Sequence, residues 1–509
     1  MIFAILLASL LIALAAKRLG QPYPIALVIG GLCLAAIPGT PEVTLDPNIV
    51  FYVLLPPVLF EAAYFTSWRD LMAQRRPVLM LAFGLVAASS AAVGAVCVWL
   101  IPGMNWATGI TLGAIVSPPD AAAATAITRG LRLPRRIVQI IEGESLVNDA
   151  SALTIYRFAV AAIVTGSFLW SQATIAFLWI AIGGTAIGIV IGYAYVWLFP
   201  KIKDVEVEIL STFALAYGAY IAAEQVHASG VLACVAAGLI LGRSSSNLFT
   251  ATGRIRGAAV WSTAIFLCNV VIFALIGLQL RAVLADLGGY PPEILLGWCA
   301  AVSATVILVR IVWVYVVSPC RTGIFVVAWT GLRGVVSLAA ALALPTETAT
   351  GLPFPYRSLV LLLTFAVILV TLLLQGLTLR PIIRFLRLPT DRTSEEEQLA
   401  ARLRAAEAAL ARLLELEDSA PRHVVERVKG FFEDRVADVR ALQELESGSE
   451  QLDKPEEFQS LAEQRLWYEL LRAERKAIIE LRRQKVIGDE ALHEIENEID
   501  LLEARLTPR

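Results

Sequence analysis

Long apolar runs separated by short polar stretches occupy the first 390 residues of the chain. A helix needs about 20 predominantly apolar residues to cross the hydrocarbon core of a bilayer. Divided at charged residues and at clusters of Pro and Gly, the runs predict thirteen membrane-spanning helices. Their approximate bounds are 2–16, 23–38, 48–65, 77–100, 106–128, 137–164, 171–199, 206–223, 228–242, 258–280, 291–317, 323–344 and 356–379.

The positions of the basic residues support this division, because the cytoplasmic loops of membrane proteins are enriched in Lys and Arg. Alternate loops hold fifteen basic residues, whereas the loops between them hold only Arg281 and Arg357. If one span were missed or added, the basic loops would no longer all lie on the same side of the membrane. We therefore expect an odd number of spans, with the N-terminus outside and the C-terminus in the cytoplasm. The first span precedes its basic residues, unlike a signal peptide, so we expect it to be retained. The fifteen residues are Lys17, Arg18, Arg69, Arg75, Arg76, Arg129, Arg132, Arg135, Arg136, Lys201, Lys203, Arg243, Arg254, Arg256 and Arg321.

Composition divides the chain into two parts. With 57% apolar and 17% charged residues, the chain is more apolar than a soluble protein of 509 residues. Residues 391–509 nevertheless hold 48 of the 86 charged side chains, and their apolar residues recur at helical spacing from Ser394 onwards. We therefore expect an all-α polytopic transmembrane domain over residues 1–385 and a charged, helical cytoplasmic domain over residues 386–509.

Four carboxyl groups lie deep within predicted spans, where an ionisable group is costly and marks a cavity, a partner or a transport path. The other eleven acidic residues of the first 390 fall in loops or near the ends of spans. Arg333 is the basic residue at the centre of a span. The four acidic residues are Glu61, Asp120, Glu144 and Asp149.

Two of the predicted spans are interrupted near their middle. In the fifth span Pro118 and Pro119 precede Asp120, and prolines cannot continue a regular helix because they lack amide hydrogens. Glycines on either side of Arg333 interrupt the twelfth span. Interrupted spans in corresponding positions of two halves indicate the binding site of a secondary transporter. If spans 1–6 and 8–13 are six-helix repeats, their offset of seven makes the repeats inverted, with broken helices that cross.

The stretch GESLVND at residues 143–149 places four polar side chains in an otherwise apolar span. On a helix Ser145 and Asp149 lie four residues apart on one face, and Glu144 and Asn148 form an adjoining pair. Carboxylate, hydroxyl and carbonyl oxygens suit a small alkali cation, and the lack of Cys and His here argues against a transition metal. A buried carboxylate can hold either a cation or a proton, so the two ligands compete for one group.

These residues resemble those of a known family, the monovalent cation/proton antiporters of the first branch, or sodium/proton exchangers, in their bacterial form. GESLVND matches the family's signature in the sixth span, and three more stretches match its motifs in the third, ninth and twelfth spans. The resemblance covers residues 1–385. The three stretches are LLPPVLFEAA (54–63), EQVHASGVLACVAAGLILG (224–242) and GLRGVVSLAAAL (331–342).

The resemblance implies roles for particular groups. Asp149 would be the essential carboxylate that binds both the cation and the proton. The position of Asn148 before it is that of members that exchange one cation for one proton without net charge movement. The groups that would complete the site are Asp120, Ser145, Glu61 and a backbone carbonyl near Pro119.

The same comparison concerns charge balance and selectivity. Glu144 and Arg333 resemble the structural ion pair of the family, and Arg310 is a second candidate partner for Glu144. Many members have Thr-Asp-Pro in the fifth span, whereas this chain has Ser-Pro-Pro-Asp over residues 117–120. The unwound backbone around Pro118 therefore leaves the choice among Na+, Li+ and K+ open.

We expect an antiporter that exchanges a monovalent cation for H+ by alternating access, with Na+ as the first candidate and Li+ or K+ as alternatives. The exchange would be electroneutral, take place in the plasma (inner) membrane and serve pH homeostasis. No cofactor and no nucleic acid partner is expected, and a homodimer follows from the resemblance alone. The ligand of the cytoplasmic tail is left open.

Three other classes of protein fit the sequence less well. An intramembrane aspartyl protease also needs two membrane aspartates, but its Tyr-Asp and Gly-x-Gly-Asp signatures are missing, so we do not expect an enzyme. A channel would need a repeated filter or a ring of identical groups. A sodium-coupled carrier of an organic anion shares the broken-helix architecture and is retained as the alternative.

Overall fold

The chain divides into two compact units, Met1–Asp391 and Arg392–Arg509. In the described residues the secondary structure is helical, apart from one isolated β-bridge between Glu347 and Pro353. The first unit contains all the predicted spans. The computed structural model describes residues 2–19, 22–36, 46–120, 123–124, 127, 133–166, 175–199, 204–285, 290–317, 323–386, 403–404, 407–413 and 422–447.

The helices of the first unit vary widely in length, and four of them contain a short π-helical stretch. In chain order they are α1 (Ile2–Arg18), α2 (Tyr23–Ala36), α3 (Pro47–Phe65), α4 (Trp68–Ala73), α5 (Arg75–Leu100), α6 (Trp106–Val116), α7 (Arg135–Thr165), α8 (Ile175–Leu198), α9 (Val205–Gln225), α10 (Gly230–Leu248), α11 (Ala251–Ala285), α12 (Pro292–Val317), α13 (Ile324–Trp329), α14 (Val335–Leu342) and α15 (Arg357–Leu386).

Each predicted span overlaps at least one of these helices. Within the described residues, eight helices are long and apolar enough to cross a membrane by themselves, namely α3, α5, α7, α8, α9, α11, α12 and α15. Helices α1, α2, α6 and α10 contain shorter apolar stretches, and the twelfth predicted span is divided between α13 and α14. The all-α multi-pass architecture is therefore confirmed, whereas the count of thirteen crossings and the inverted repeats stay predictions.

Helix α3 contains two adjacent prolines, and its geometry is π-helical over Val50–Leu54, just before them. Pro57 has no amide hydrogen to donate to the carbonyl of Val53. The hydroxyl of Tyr217 on α9 donates to that carbonyl instead, at 2.8 Å. A backbone group that the proline leaves unsatisfied thus joins α3 to α9.

Helices α2 and α11 approach closely where each contains a glycine. A Cβ atom on Gly31 would lie 2.6 Å from the carbonyl oxygen of Ala274, and one on Gly277 would lie 2.5 Å from that of Val28. Small residues allow such backbone contact, which is how many membrane helices associate. Any larger residue at either position would push the two helices apart.

Helix α11 begins seven residues before the predicted tenth span. The buried carboxylate of Glu208 on α9 accepts hydrogen bonds from the hydroxyl and the amide of Thr250, at 3.0 and 3.4 Å, just ahead of the first helical residue. A carboxylate is favourable there because the amides at a helix N-terminus are unpaired and carry partial positive charge. The cap extends the helix beyond the apolar run.

In the second unit the structure describes α16 (Arg422–Ser447), which is not among the tail helices that the sequence predicts, and helical residues 403–404 and 407–413 within the first of these, predicted over residues 394–418. Arg440 pairs with Glu407 at 2.7 Å, and both side chains are exposed. Exposed ion pairs contribute little to stability. The sequence predicts two further tail helices over residues 458–484 and 489–506, and both lie outside the described residues.

Candidate ion-binding site

The fifth predicted span breaks at its two prolines. Helix α6 ends at Val116, and residues 117–120 are not helical. Pro118 cannot donate to the carbonyl of Ala114, and the hydroxyl of Ser117 donates to that carbonyl at 3.1 Å. The predicted interruption just before Asp120 is therefore present.

The twelfth predicted span breaks between Trp329, the last residue of α13, and Val335, the first residue of α14. The backbone amide of Asp120 donates to the carbonyl of Leu332 at 2.7 Å. The two interruptions thus lie against each other and share a hydrogen bond. Non-helical backbone at membrane depth is tolerated where protein satisfies its polar groups, as it does here.

The guanidinium of Arg333 satisfies carbonyls that the two breaks leave unpaired. Its Nε donates to the carbonyl of Val116 at 2.8 Å, its Nη2 to that of Ser117 at 3.2 Å, and its Nη1 to that of Gly331. The side chain is fully buried. A cation at the C-terminal end of α6 also offsets the partial negative charge of that helix end.

Arg333 lies at a helix C-terminus, whereas the Asp120 carboxylate lies at a helix N-terminus. It packs against Gly334, at the N-terminus of α14, where a Cβ atom would overlap the carboxyl group. Its Oδ1 also accepts a hydrogen bond of 3.4 Å from the amide of Ala123. An anion is favourable at a helix N-terminus and a cation at a helix C-terminus. The crossed breaks therefore place Asp120 and Arg333 each at the helix end that stabilises its charge.

Two side chains of helix α7 donate hydrogen bonds to one backbone carbonyl in the fifth-span break. The hydroxyl of Ser145 and the amide of Asn148 both donate to the carbonyl of Pro119, at 3.3 and 3.2 Å. A carbonyl oxygen has two lone pairs, so both are engaged. A role for this carbonyl as an ion ligand stays a prediction, and it requires one of the two donors to turn away.

A cavity of about 370 Å³ lies beside this crossing. Asp149, which is 7% exposed, faces it from the same side of α7 as Ser145. The structure brings all the predicted ion-binding residues and Pro118 to its lining, namely Glu61, Pro118, Pro119, Asp120, Ser145 and Asp149. The polar lining residues that were not predicted from the sequence are Tyr23, Thr66, Glu142, Ser262, Asn269 and Ser337.

Only Glu142 left a usable signal in the sequence. It precedes Ser145 by three residues and Asp149 by seven, so it lies on the same helix face, although it is near the end of its predicted span. Asn269 and Ser337 are uncharged polar residues within apolar helices. Such residues commonly hydrogen-bond between membrane helices, so their presence does not indicate a site.

Of the two candidate partners of Glu144, Arg310 is confirmed and Arg333 is wrong. Nη1 and Nη2 of Arg310 donate to the two carboxylate oxygens of Glu144 at 2.5 and 2.9 Å, and neither side chain is more than 1% exposed. The physical reason is that Arg333 is bonded to the carbonyls of the two helix breaks. The bidentate geometry compensates the buried carboxylate directly.

Arg157, two turns after Asp149 on α7, neutralises an acid outside the cavity. It pairs with Glu224 at 3.0 Å, and the same carboxylate accepts a hydrogen bond of 3.1 Å from the amide of Gly230, the first residue of α10. This pair joins α7 to the junction between α9 and α10. It has no member in the cavity lining.

The donor set of the cavity is made of oxygen atoms from carboxylates, hydroxyls and a carbonyl. Hard oxygen ligands suit alkali cations. Within the described part of the chain, no group of three or more His, Cys, Asp or Glu side chains is placed to hold a metal ion. The carboxylates that line the cavity, Asp149 and Asp120 among them, can instead take up a monovalent cation or a proton in turn.

Comparison with known proteins agrees with this chemistry. The family model described as "Sodium/hydrogen exchanger, transmembrane" matches residues 4–385. An uncharacterised Na+/H+ exchanger of Mycobacterium tuberculosis (strain H37Rv) is 31% identical over 95% of this chain and 91% of its own length. A sodium, potassium, lithium and rubidium/H+ antiporter of Bacillus subtilis is 30% identical over 70% of this chain and 57% of its own length.

A solved structure has a similar fold. The sodium proton antiporter MjNhaP1 from Methanocaldococcus jannaschii aligns with a TM-score of 0.61, at 18% sequence identity, over 75% of this chain and 97% of that one. At this level of identity the match concerns the arrangement of helices.

Proposed function

The chain belongs to the sodium/hydrogen exchanger family and is a multi-pass membrane antiporter of monovalent cations and protons, and on this premise we propose that it exchanges one Na+ for one H+ at the Asp120–Asp149 cavity. Li+ and K+ are the other candidate cations. The comparisons lend no support to the alternative, a sodium-coupled carrier of an organic anion.

The observation that carries the proposal is that Asp149 and Asp120 face one cavity beside two crossed helix breaks. In the proposed cycle a deprotonated Asp149 binds the cation, with Asp120, Ser145 and Glu61 as further oxygen ligands. When the cation leaves, a proton takes its place on the carboxylate. Because one group holds either ligand, the two are transported in opposite directions.

Alternating access would move the helices that carry the site relative to the rest of the domain. The cavity lining reaches Thr66, at the end of α3, and Glu142, in the first third of α7. Thr66 borders a predicted loop rich in Lys and Arg, and Glu142 follows Arg136, the last basic residue of another such loop, by six residues. From the predicted orientation of the chain we infer that the cavity opens towards the cytoplasm in this conformation.

The proposed stoichiometry rests on Asn148. Its amide cannot titrate, and it is engaged with the carbonyl of Pro119. One cation then replaces one proton on Asp149, so no net charge crosses the membrane. We further propose a homodimer in the plasma (inner) membrane, with the N-terminus outside, the tail in the cytoplasm and a role in pH homeostasis.

The test is the collapse of a pH gradient in sealed everted vesicles on addition of NaCl, LiCl or KCl. The wild-type chain should respond to at least one salt, and Asp149→Asn should abolish the response. A matched control is Glu206→Gln, which removes an exposed carboxylate on α9. Equal activity of the wild type and Asp149→Asn would overturn the proposal.

A further inference from the structure

Ser337 on α14 presents an unusual hydroxyl to the cavity. Several buried side-chain nitrogen and oxygen atoms have no hydrogen-bond partner among the described residues, and of these the Ser337 hydroxyl oxygen is the one in the cavity lining. The residue is only 1% exposed. Buried polar groups are nearly always hydrogen-bonded, so an unpartnered one in a cavity wall points to a ligand in that cavity.

The helix break explains why this hydroxyl is available. Elsewhere in the chain, the buried hydroxyls of Ser90, Thr111 and Thr154 donate to the carbonyl four residues earlier, at 2.7, 2.8 and 2.6 Å. Ser337 is the third residue of α14, so the residue four before it, Arg333, lies in the break. No helical carbonyl is presented to the Ser337 side chain from that position.

The position of Ser337 relates it to the Asp120 carboxylate. Asp120 packs against Gly334, which precedes Ser337 by three residues. Residues three apart lie on one face of a helix, about one turn along its axis. Ser337 therefore lies about one turn along α14 from the glycine against which Asp120 packs, and both residues line the cavity.

We propose that the Ser337 hydroxyl is an additional oxygen ligand of the transported cation, supplied by the second broken span. This inference rests on the proposed function. It makes the cation contact both interrupted spans, since Asp120 comes from the fifth and Ser337 from the twelfth. A neutral hydroxyl adds a ligand without adding charge, so it changes the affinities for the alkali cations and leaves the charge balance of exchange unaltered.

The first test compares half-saturating concentrations of Na+, Li+ and K+ in everted vesicles. For Ser337→Ala we expect a rise of about five- to tenfold for the best cation, as expected for the loss of one polar ligand contact. The ratios between cations should also change, whereas the maximal rate should not. Ser337→Thr, which keeps a hydroxyl, should restore the affinity.

A matched control is Ser303→Ala on α12. Ser303 is likewise buried with an unpartnered hydroxyl among the described residues, but it is absent from the cavity lining. Its removal should leave all three half-saturating concentrations unchanged. A similar rise in this variant would contradict the inference, because it would trace the effect to buried hydroxyls in general.

The second test measures binding without transport. Thermal unfolding of the purified full chain is followed in detergent while NaCl replaces choline chloride at constant ionic strength, because a bound ligand raises the unfolding temperature. Ser337→Ala should need about five- to tenfold more Na+ for the same rise.

An unfolding temperature that falls in Ser337→Ala while its Na+ dependence stays that of the wild type would overturn the inference, since that is the result of a purely structural role. Unchanged half-saturation for all three cations would overturn it as well. Failure of the proposed function is recognised separately, by wild-type vesicles that respond to none of the three salts.

Discussion

Arg310 and Glu144 form a bidentate ion pair, with hydrogen bonds of 2.5 and 2.9 Å, in which neither partner is more than 1% exposed. The same guanidinium donates to the carbonyl of Val327 at 3.0 Å. One side chain of α12 therefore joins α7, which carries Asp149, to α13, the first part of the broken twelfth span. The pair belongs to the scaffold of the site and not to the cavity lining.

Loss of one partner should destabilise the protein strongly. Arg310→Met leaves the Glu144 carboxylate buried without compensation, which costs about 3–5 kcal/mol. The double variant Glu144→Gln/Arg310→Met should recover much of the lost stability because neither charge remains. Thermal unfolding in detergent measures both effects.

Arg157→Met is the control, because that pair is partly exposed and should contribute only about 0–1 kcal/mol. Equal losses in Arg310→Met and Arg157→Met would contradict the structural role.

Gly334→Ala should impair transport more than folding. The added methyl group would overlap the Asp120 carboxylate, which must then move away from the N-terminus of α14. We expect a large loss of cation-dependent proton flux with normal amounts of folded protein in the membrane. Gly218→Ala on α9 is the control, since nothing lies within 4 Å of the added atom. Wild-type flux in Gly334→Ala would show that the placement of Asp120 is not critical.

Competition at Asp149 predicts how pH changes the apparent cation affinity. At lower pH the carboxyl group is protonated in more molecules, so more Na+ is needed to displace the proton. The half-saturating Na+ concentration should rise by up to about tenfold for each unit of pH below the range where the group titrates, with an unchanged maximal rate. Flux measurements in vesicles at matched internal and external pH test this. A maximal rate that falls while half-saturation stays constant would argue against one shared site.

Electroneutral exchange predicts that the membrane potential has no effect on the rate. An exchanger that moved one net charge per cycle would experience about 2.3 kcal/mol per 100 mV. Proteoliposomes with an imposed diffusion potential, assayed for Na+-driven proton flux, should show equal rates at both polarities. A clear response would mean that Asn148 is not a sufficient sign of one-for-one exchange.

Much of this arrangement could be predicted from the sequence, because lipid requires long apolar helices and makes buried charge conspicuous. Apolar runs located the helices, and prolines located the break before Asp120. Asp149 and Glu61 could be predicted as ion ligands because both lie deep within predicted spans. Each of these features depends only on where a residue lies along a single helix, and the sequence shows that position directly.

The remaining features depend on which faces of distant helices meet. Arg310 and Arg333 both lie deep in spans, and only the fold decides which of them contacts Glu144. The π-helical stretch Met80–Leu85 is equally hidden, although its carbonyls accept hydrogen bonds from Ser151 on α7 and Trp313 on α12. The spacing of apolar residues does not indicate which residues of distant helices will contact each other.

The hydrogen bond from Tyr217 to the carbonyl of Val53 has a consequence for the order in which the chain is assembled. Val53 and Tyr217 are 164 residues apart, so α3 is synthesised well before α9. Until α9 arrives, the carbonyl that Pro57 leaves unsatisfied has no Tyr217 hydroxyl to accept from. The early helices can therefore insert in sequence, but α3 reaches its final hydrogen bonding only when a later part of the nascent chain has joined it.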